Sequence, residues 1–255
     1  MNIYKSTLFF TLILLTSCKE NINELETRIK IQAEENNFEM SAVEIKKTAL
    51  YLSKWSKEDF YTEDIDKFKS ADKISFPDFG NVLFVGSSSI RFWKTLNEDM
   101  KPFKVINRGF GGSHIKHINY HFKDIVKPYK PEAIVFFCGT NDIAALKTVN
   151  EVYDDFLDFF SLVNKNLPDT KIFIIGIKPS KARLYLKDKE MELNSKLRKL
   201  SLQNNDLFFI SVWDEMLTEE GLPNQNLFIE DGLHVNTEGY ALWTSLVKTV
   251  LEENL

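Results

Sequence analysis

Five short runs dominated by apolar residues recur along the chain from about residue 80 onward. They occupy residues 82–85, 104–106, 133–137, 172–175 and 207–210. Within each run the apolar residues are consecutive and do not alternate with polar ones. This pattern is typical of strands that are buried on both faces of a parallel sheet. The sequence therefore predicts five parallel strands.

Segments with helical periodicity lie between and after these strands. The clearest are residues 150–167, 181–203 and 237–253, and Asn236 before the last one is a good helix N-cap. Alternating strands and helices over about 200 residues predict an α/β fold, a three-layer α/β/α sandwich with right-handed crossovers. We expect a flavodoxin-like five-stranded parallel sheet, in which sites form at the carboxyl ends of the strands.

The chain begins with a segment typical of export. One lysine is followed by an apolar stretch of about ten residues, too short for a membrane span but typical of a signal peptide. The stretch ends at Leu15-Thr16-Ser17-Cys18, which resembles a bacterial lipobox. The resemblance implies cleavage before Cys18 and acylation of its thiol, which anchors the protein to a membrane. An ordinary secretory signal or an N-terminal transmembrane anchor remains the alternative.

A signal peptide that ends before Cys18 divides the chain into three parts. We expect residues 1–17 to be the signal peptide, residues 18–55 to hold the lipidated Cys18, a charged tether and an extra N-terminal helix, and residues 56–255 to form the main globular domain. The apolar face within residues 41–55 predicts that the extra helix docks on that domain. Lys19 directly after the cysteine suggests the outer membrane in enterobacterial sorting, so we expect a lipid-anchored protein of the bacterial cell envelope.

Composition narrows the class of protein. Apolar residues make up 44% and charged residues 27% of the 255, values of a globular protein that exclude global disorder and fibrous repeats. The 32 basic and 37 acidic residues give a net charge of −5, which argues against nucleic acid as a partner. Two cysteines cannot form a disulfide framework or a usual zinc site. Cys138, at the end of a predicted strand, is expected to be an inert core thiol.

Polar residues with possible chemistry follow the predicted strands. They lie in residues 86–91, 107–114, 138–142 and 230–234. Together these segments supply serines, glycines, an asparagine amide and an Asp-x-x-His pair, which are the parts of an acyl-transfer site. Taken singly, helix caps, tight turns and a surface histidine explain each of them equally well. Their order after successive strands favours a site.

These segments resemble the SGNH hydrolases (GDSL-like lipases and esterases) over residues 56–255. Gly86-Ser87-Ser88 stands at the Gly-Asp-Ser block, and Gly112 stands at the glycine of the second block. Residues 139–142 match the Gly-x-Asn-Asp block, and residues 231–234 match Asp-x-x-His. The Gly-Ser-Ser-Ser-Ile string is similar to a bacterial subgroup related to platelet-activating-factor acetylhydrolase subunits. Ser87 and Ser113 replace aspartates that are common in the family.

The resemblance implies a serine esterase without a cofactor or a metal. Ser88 would be the nucleophile, with Ser89 a distant second, His234 the general base and Asp231 its partner. The Ser88 N–H, the Gly112 N–H and the Asn141 amide would form the oxyanion hole. The implied substrate is a small carboxylic ester, either an O-acetyl carbohydrate or a short-chain or lysolipid acyl ester.

Two other functions remain open at this stage. The same fold could serve as a non-catalytic binding lipoprotein of the envelope, and the same triad could transfer the acyl group to a sugar hydroxyl. His114, His117 and His121 recur at i, i+3 and i+7, but they lack an acidic partner. We therefore expect a solvated or substrate-rim face there and not a metal site. Arg91 and Trp93 could contact substrate or pack the first helix.

Overall fold

In the computed structural model, which describes residues 22–255, the five predicted strands form one parallel sheet. The strands are β1 (Val82–Gly86), β2 (Val105–Gly109), β3 (Ala133–Phe137), β4 (Lys171–Ile175) and β5 (Leu207–Ile210), in the order β2-β1-β3-β4-β5. Gly86 pairs with Gly109 on one side and with Phe137 on the other. The first three strands therefore end level with one another. The predicted fold class is confirmed.

The described part of the chain contains eleven α-helices. They are α1 (22–35), α2 (Ala42–Trp55), α3 (Thr62–Ile74), α4 (Ser88–Arg91), α5 (Leu96–Asp99), α6 (Ile115–Tyr120), α7 (Phe122–Ile125), α8 (Thr140–Ala144), α9 (Val149–Asn166), α10 (Lys187–Ser201) and α11 (Thr237–Asn254). Short 3₁₀ turns occupy Glu58–Tyr61, Lys127–Tyr129, Lys181–Leu186, Asp214–Met216 and Gln225–Leu227. Asn236 caps α11 as expected, since its side chain accepts a hydrogen bond from the Gly239 N–H.

One predicted helix begins later than its periodicity indicates. The segment 181–203 starts as a 3₁₀ turn in which Arg183 has non-helical dihedrals of φ −125° and ψ 24°. The α-helix itself starts only at Lys187. At Arg183 the backbone departs from the helix while its side chain makes tertiary hydrogen bonds, so long-range contacts override the local propensity.

The two faces of the sheet hold the core of the larger unit. Successive residues of a strand point to opposite faces. Phe136 packs against Phe156 and Phe159 of α9, whereas its neighbour Phe137 packs against Trp243 of α11. All five of these rings are buried. Burial of both faces explains the continuous apolar runs of the inner strands β1 and β3, whereas β2 and β5 at the edges of the sheet are only partly buried.

The chain divides into two units between Phe60 and Tyr61. The first contains α1 and α2, and Ser41 and Glu44 form a reciprocal capping box at the start of α2. The docking of this segment stays a prediction, as do the domain boundaries. The predicted signal peptide, Cys18 and the start of the tether lie outside the described residues. Within residues 22–255, the helices are all too short or too polar to cross a membrane.

Candidate active site

Ser88 lies at the carboxyl edge of the sheet, directly after β1. Gly86 ends the strand with a φ of +155°, and Ser88 is the first residue of α4. A Cβ at Gly86 would lie 2.0 Å from the carbonyl oxygen of Phe137 on β3. Only glycine lets the two strands approach at this point. The strand-to-helix turn leaves Ser88 partly exposed between buried neighbours.

The structure brings Ser88 together with His234 and Asp231. The Ser88 Oγ lies 2.7 Å from His234 Nε2, although the two residues are 146 positions apart in sequence. His234 Nδ1 lies 2.6 Å from Asp231 Oδ2. An ionised carboxylate only accepts hydrogen bonds, so the proton of this pair belongs on Nδ1. Nε2 is then left as an acceptor for the serine hydroxyl.

The Asp231 carboxylate is held by its own turn. Its Oδ1 accepts hydrogen bonds from the N–H groups of Leu233 at 2.8 Å and His234 at 2.9 Å. Partial burial acts to raise the pKa of Asp231, but the hydrogen bonds from the His234 ring and from these two N–H groups outweigh it. The net pKa is lowered, so the group is a carboxylate at neutral pH.

Phe92 borders the His234 ring. The two ring centroids lie 5.0 Å apart at an interplanar angle of 72°, an edge-to-face contact. Phe92 remains 41% exposed, so the aromatic surface beside His234 is open to solvent. The sequence pattern did not single out this residue.

Asn141 is buried at the start of α8, directly after β3. Its Nδ2 donates a hydrogen bond to the Ser113 carbonyl at 3.1 Å, and its Oδ1 accepts one from Arg183 Nη2 at 3.0 Å. These two bonds define which way the amide faces. The second N–H of Nδ2 is directed elsewhere, because a side-chain amide has two donors.

Gly112 lies in the turn directly before Ser113, with a φ of +78°. The hydrogen bond from Asn141 to the Ser113 carbonyl therefore connects Asn141 to the loop that contains Gly112. Asp142 also holds this loop, because both of its carboxylate oxygens accept a hydrogen bond from the Ile115 N–H, each 3.3 Å from the nitrogen. The convergence of the Ser88, Gly112 and Asn141 donors on one oxyanion stays a prediction.

Asp142 is fully buried and interacts with a half-buried lysine. Lys147 Nζ lies 3.4 Å from Asp142 Oδ1 and also contacts the Asp155 carboxylate. Burial raises the pKa of Asp142 to about 7, against the opposing effect of Lys147. The sequence matched Asp142 only as part of the Gly-x-Asn-Asp block, without this support.

Sequence reasoning missed three charged residues behind the site. Arg183 Nη1 donates to Thr140 Oγ1 at 2.9 Å, and that hydroxyl donates to Glu190 Oε1 at 2.7 Å. Lys178 is buried and donates a hydrogen bond to the carbonyl of Leu233, within the Asp231–His234 turn. Burial lowers the pKa of Lys178 to about 8, while the Glu190 charge opposes this effect. Lys178 closely follows β4, so inspection of that strand end would have found it.

The interpretation of His114, His117 and His121 as a solvated or rim face is wrong. All three side chains are buried. The rings of His114 and His117 stack at 4.9 Å, and His117 Nδ1 accepts a hydrogen bond from the His114 N–H at 2.8 Å. Burial lowers the pKa of His114 well below its usual value. Within residues 22–255, no three His, Cys, Asp or Glu side chains are grouped to hold a metal ion.

Exposure to solvent distinguishes the roles expected for Cys138, Trp93 and Arg91. Cys138 is buried and its thiol donates to the Ser113 carbonyl at 3.3 Å, and burial raises the pKa of this thiol well above its usual value. It is a core thiol, as predicted. Trp93 is also buried, with its Nε1 donating to Asp99 Oδ2 at 2.7 Å, so packing explains it. Arg91 is exposed.

Comparisons with known proteins give one family match and several proteins of similar fold. The family model described as "GDSL-like Lipase/Acylhydrolase family" matches residues 84–242. A Streptococcus pneumonia protein described as a platelet activating factor superposes with a TM-score of 0.69 at 21% identity, covering 83% of this chain and 100% of its own. A GDSL-like lipase from Bacteroides thetaiotaomicron gives 0.61 at 20% identity, covering 79% and 100%.

A third solved structure belongs to a named esterase class. A carbohydrate esterase family 3 protein from Talaromyces cellulolyticus gives a TM-score of 0.56 at 16% identity, covering 69% of this chain and 97% of its own. At these identities the likenesses show the fold. No curated protein matches the sequence at a significant level.

Proposed function

The chain belongs to the GDSL-like lipase and acylhydrolase family, the SGNH hydrolases, and is a carboxylic ester hydrolase; from this we propose that Ser88 is its nucleophile, His234 its general base and Asp231 the partner of that base. One observation carries the proposal. The hydrogen-bond chain from Ser88 Oγ through the His234 ring to Asp231 is continuous, with distances of 2.7 Å and 2.6 Å. Such a chain activates a serine hydroxyl that is otherwise a weak nucleophile.

The reaction proceeds in two halves. Ser88 Oγ attacks the ester carbonyl while its proton passes to His234 Nε2, and the ionised Asp231 stabilises the imidazolium. His234 then returns the proton to the leaving alcohol, and an acyl group remains on Ser88. Water attacks this acyl-enzyme with His234 again as base, releasing the carboxylic acid and restoring the serine.

The negative oxygen of each tetrahedral intermediate needs donors. We assign this role to the Ser88 N–H, the Gly112 N–H and the Asn141 Nδ2. The support is the fixed orientation of the Asn141 amide and its bond to the loop of Gly112. One such donor typically lowers the barrier by about 2.7–4 kcal/mol.

The proposed substrate is a small carboxylic ester, either an O-acetyl group on a carbohydrate or a short-chain or lysolipid acyl ester. The carbohydrate esterase among the fold neighbours favours the first. The exposed ring of Phe92 beside His234 offers an apolar surface to either one. Transfer of the acyl group to a sugar hydroxyl would use the same triad.

Labelling by a fluorophosphonate tests the nucleophile. The wild-type protein should be labelled, and Ser88→Ala should not. Ser89→Ala is the matched control, because Ser89 is the adjacent serine and should leave labelling intact. Label retained in Ser88→Ala would contradict the assignment, and label lost only in Ser89→Ala would move the nucleophile by one residue. An unlabelled wild-type protein would favour the non-catalytic binding function.

Substrate class is tested on the same preparations. Hydrolysis of p-nitrophenyl acetate is compared with that of longer-chain esters, and acetate release is measured from acetylated polysaccharide. Preference for acetyl groups and release from the polysaccharide would support the carbohydrate substrate. Preference for longer chains would support the lysolipid ester. Transfer to an added sugar in place of hydrolysis would identify an acyltransferase.

We also propose that Cys18 carries a lipid and anchors the enzyme in the bacterial cell envelope, at the outer membrane. The support is the Leu-Thr-Ser-Cys string at the end of the apolar stretch. Metabolic labelling with palmitate should mark the expressed full chain, and Cys18→Ser should abolish the label and release the protein from the membrane fraction. A palmitate label that persists in Cys18→Ser would contradict this site.

A further inference from the structure

A cleft of about 390 Å³ lies between α3, the α4–α5 segment and the end of β2. The proposed mechanism does not use it. Its lining includes apolar side chains of Phe68, Trp93, Leu96 and Phe110, and its charged side chains come from α3, α4 and the residues that follow α4. The cleft therefore combines an apolar floor with a charged wall.

The charged wall has an excess of cations. Among the lining residues, Lys67 pairs with Asp64 at 3.1 Å, so these two charges offset each other. Arg91 and Lys94 also line the cleft, are exposed, and have no carboxylate partner within residues 22–255. Two uncompensated cations on one cleft are notable in a protein with a net charge of −5. They favour an anionic ligand.

Arg91 lines this cleft and is also close to the catalytic groups. It follows Ser88 by three residues on α4, so the two residues share one turn of helix. Its Cζ lies 5.9 Å from the centroid of the Phe92 ring, which in turn contacts His234. A Cβ built on Gly111 would lie 3.0 Å from Arg91 Nη1, so the guanidinium covers the residue before Gly112. An ester bound at Ser88 can therefore extend towards Arg91.

We propose that this cleft is a substrate subsite that binds an anionic group, a phosphate or a carboxylate, carried by the ester. The planar guanidinium of Arg91 suits both anions, because each offers two oxygens to its parallel N–H donors. Lys94 adds a second charge, and Phe68, the half-buried member of the apolar lining, would contact the carbon skeleton next to the anion. The inference rests on the proposed esterase function and names the class of ester that the site selects.

The test compares esters of one shape and different charge. The neutral 4-acetoxybenzamide is the reference, 4-acetoxybenzoate carries a carboxylate, and 4-acetoxyphenyl phosphate carries a phosphate. The wild-type enzyme should show a higher kcat/KM for at least one anionic ester than for the neutral one. Preference for the phosphate would indicate a phospholipid or sugar-phosphate ester, and preference for the carboxylate would indicate an ester of an acidic sugar.

Arg91→Gln and Lys94→Gln should each lower the ratio of kcat/KM between anionic and neutral ester by about threefold to fivefold, as expected for an exposed ion pair. The loss should appear as a higher KM for the anionic ester. In the wild type, added salt should reduce the preference for the anionic ester. Lys199→Gln is the matched control, an exposed lysine on α10 that does not line the cleft. A ratio that is the same in the wild type and in both variants would overturn the subsite.

A binding measurement separates this inference from the esterase function. Phenyl phosphate and benzoate are titrated into Ser88→Ala protein and into Ser88→Ala carrying Arg91→Gln. Weaker binding in the double variant supports the subsite even if no ester is turned over, and equal or absent binding contradicts it. If binding is equal or absent but the neutral ester is hydrolysed by the wild type and not by Ser88→Ala, the proposed function is still supported.

Discussion

Arg183 donates a hydrogen bond of 3.0 Å to the side-chain oxygen of Asn141, 42 residues away in sequence. The guanidinium thereby holds the amide with its nitrogen towards the loop of Gly112, where Nδ2 donates to the Ser113 carbonyl. A charged donor on the oxygen also polarises the amide and strengthens its remaining N–H as a donor. The proposed oxyanion donor is therefore oriented by the Arg183 guanidinium.

The residues that hold Arg183 in place are buried. Its Nη1 donates to Thr140 Oγ1, and Thr140 donates to the buried carboxylate of Glu190. Lys178 contributes a second cation near Glu190 and donates to the carbonyl of Leu233 between Asp231 and His234. Two buried charges, Lys178 and Glu190, and the half-buried Arg183 thus connect the Asn141 side and the His234 side of the site.

Asn141→Ala should lower kcat by about 100-fold to 1,000-fold, because it removes one oxyanion donor. KM for p-nitrophenyl acetate should change little, since the donor acts on charge that develops in the transition state. Steady-state kinetics measure this, with thermal unfolding to confirm that the variant is folded. An unchanged kcat in a folded variant would remove Asn141 from the oxyanion hole.

Arg183→Met should lower kcat by about tenfold with a much smaller effect on KM, because it leaves the Asn141 amide without its orienting donor. Arg183→Lys should restore part of the loss. The decisive measurement is a double-mutant cycle with Asn141→Ala. If Arg183 acts through Asn141, Arg183→Met should cost little more activity in the Asn141→Ala background. Fully additive losses would show that Arg183 supports only the fold.

Asp231→Asn should lower kcat by about 1,000-fold to 10,000-fold, because an amide cannot stabilise the imidazolium and favours the wrong tautomer. Glu230→Gln, which neutralises the neighbouring carboxylate, is the matched control and should keep activity near the wild-type level. The measurement is kcat at neutral pH, where Asp231 is ionised. Equal losses in both variants would indicate a general effect of charge and not the role of Asp231.

Asp142 should make the stability of the fold depend on pH. Burial raises its pKa from 3.8 to about 7, so between these values the folded state binds more protons than the unfolded state. By linkage, this group makes the free energy of unfolding fall as pH rises through that window. In Asp142→Asn this contribution is absent, so denaturant unfolding from pH 4 to 7 should show a less steep decline. Asp154→Asn, which removes an exposed carboxylate on α9, should retain the wild-type slope.

Gly86→Ala should destabilise the protein by more than about 3 kcal/mol or prevent folding, because its Cβ would lie 2.0 Å from the Phe137 carbonyl oxygen. Gly221→Ala is the matched control for the positive φ alone. Its φ is +75° and no atom lies within 4 Å of its added Cβ. It should lose only about 1–2 kcal/mol, the cost of a left-handed backbone. Similar losses in chemical denaturation would contradict the steric argument.

The sequence by itself determined the fold class and the order of the chemical groups. The apolar runs predicted all five strands, and in β1 and β3 the run is uninterrupted because both faces of the strand are buried. The blocks that contain Ser88 and Asn141 follow β1 and β3, and the block that contains His234 lies shortly before α11. In a parallel sheet the carboxyl ends of the strands meet at one edge, so local order along the chain already predicts proximity there.

The tertiary structure decided which polar groups are buried and what they contact. His114, His117 and His121 have a spacing that fits either an exposed or a buried helix face, and only packing places them inside. Glu190 meets Thr140 across 50 residues, and no local pattern encodes such a contact. The cationic cleft beside Arg91 likewise exists only where α3 meets the end of β2. Burial and pairing of charge depend on neighbours that are distant in sequence, and the folded chain alone specifies them.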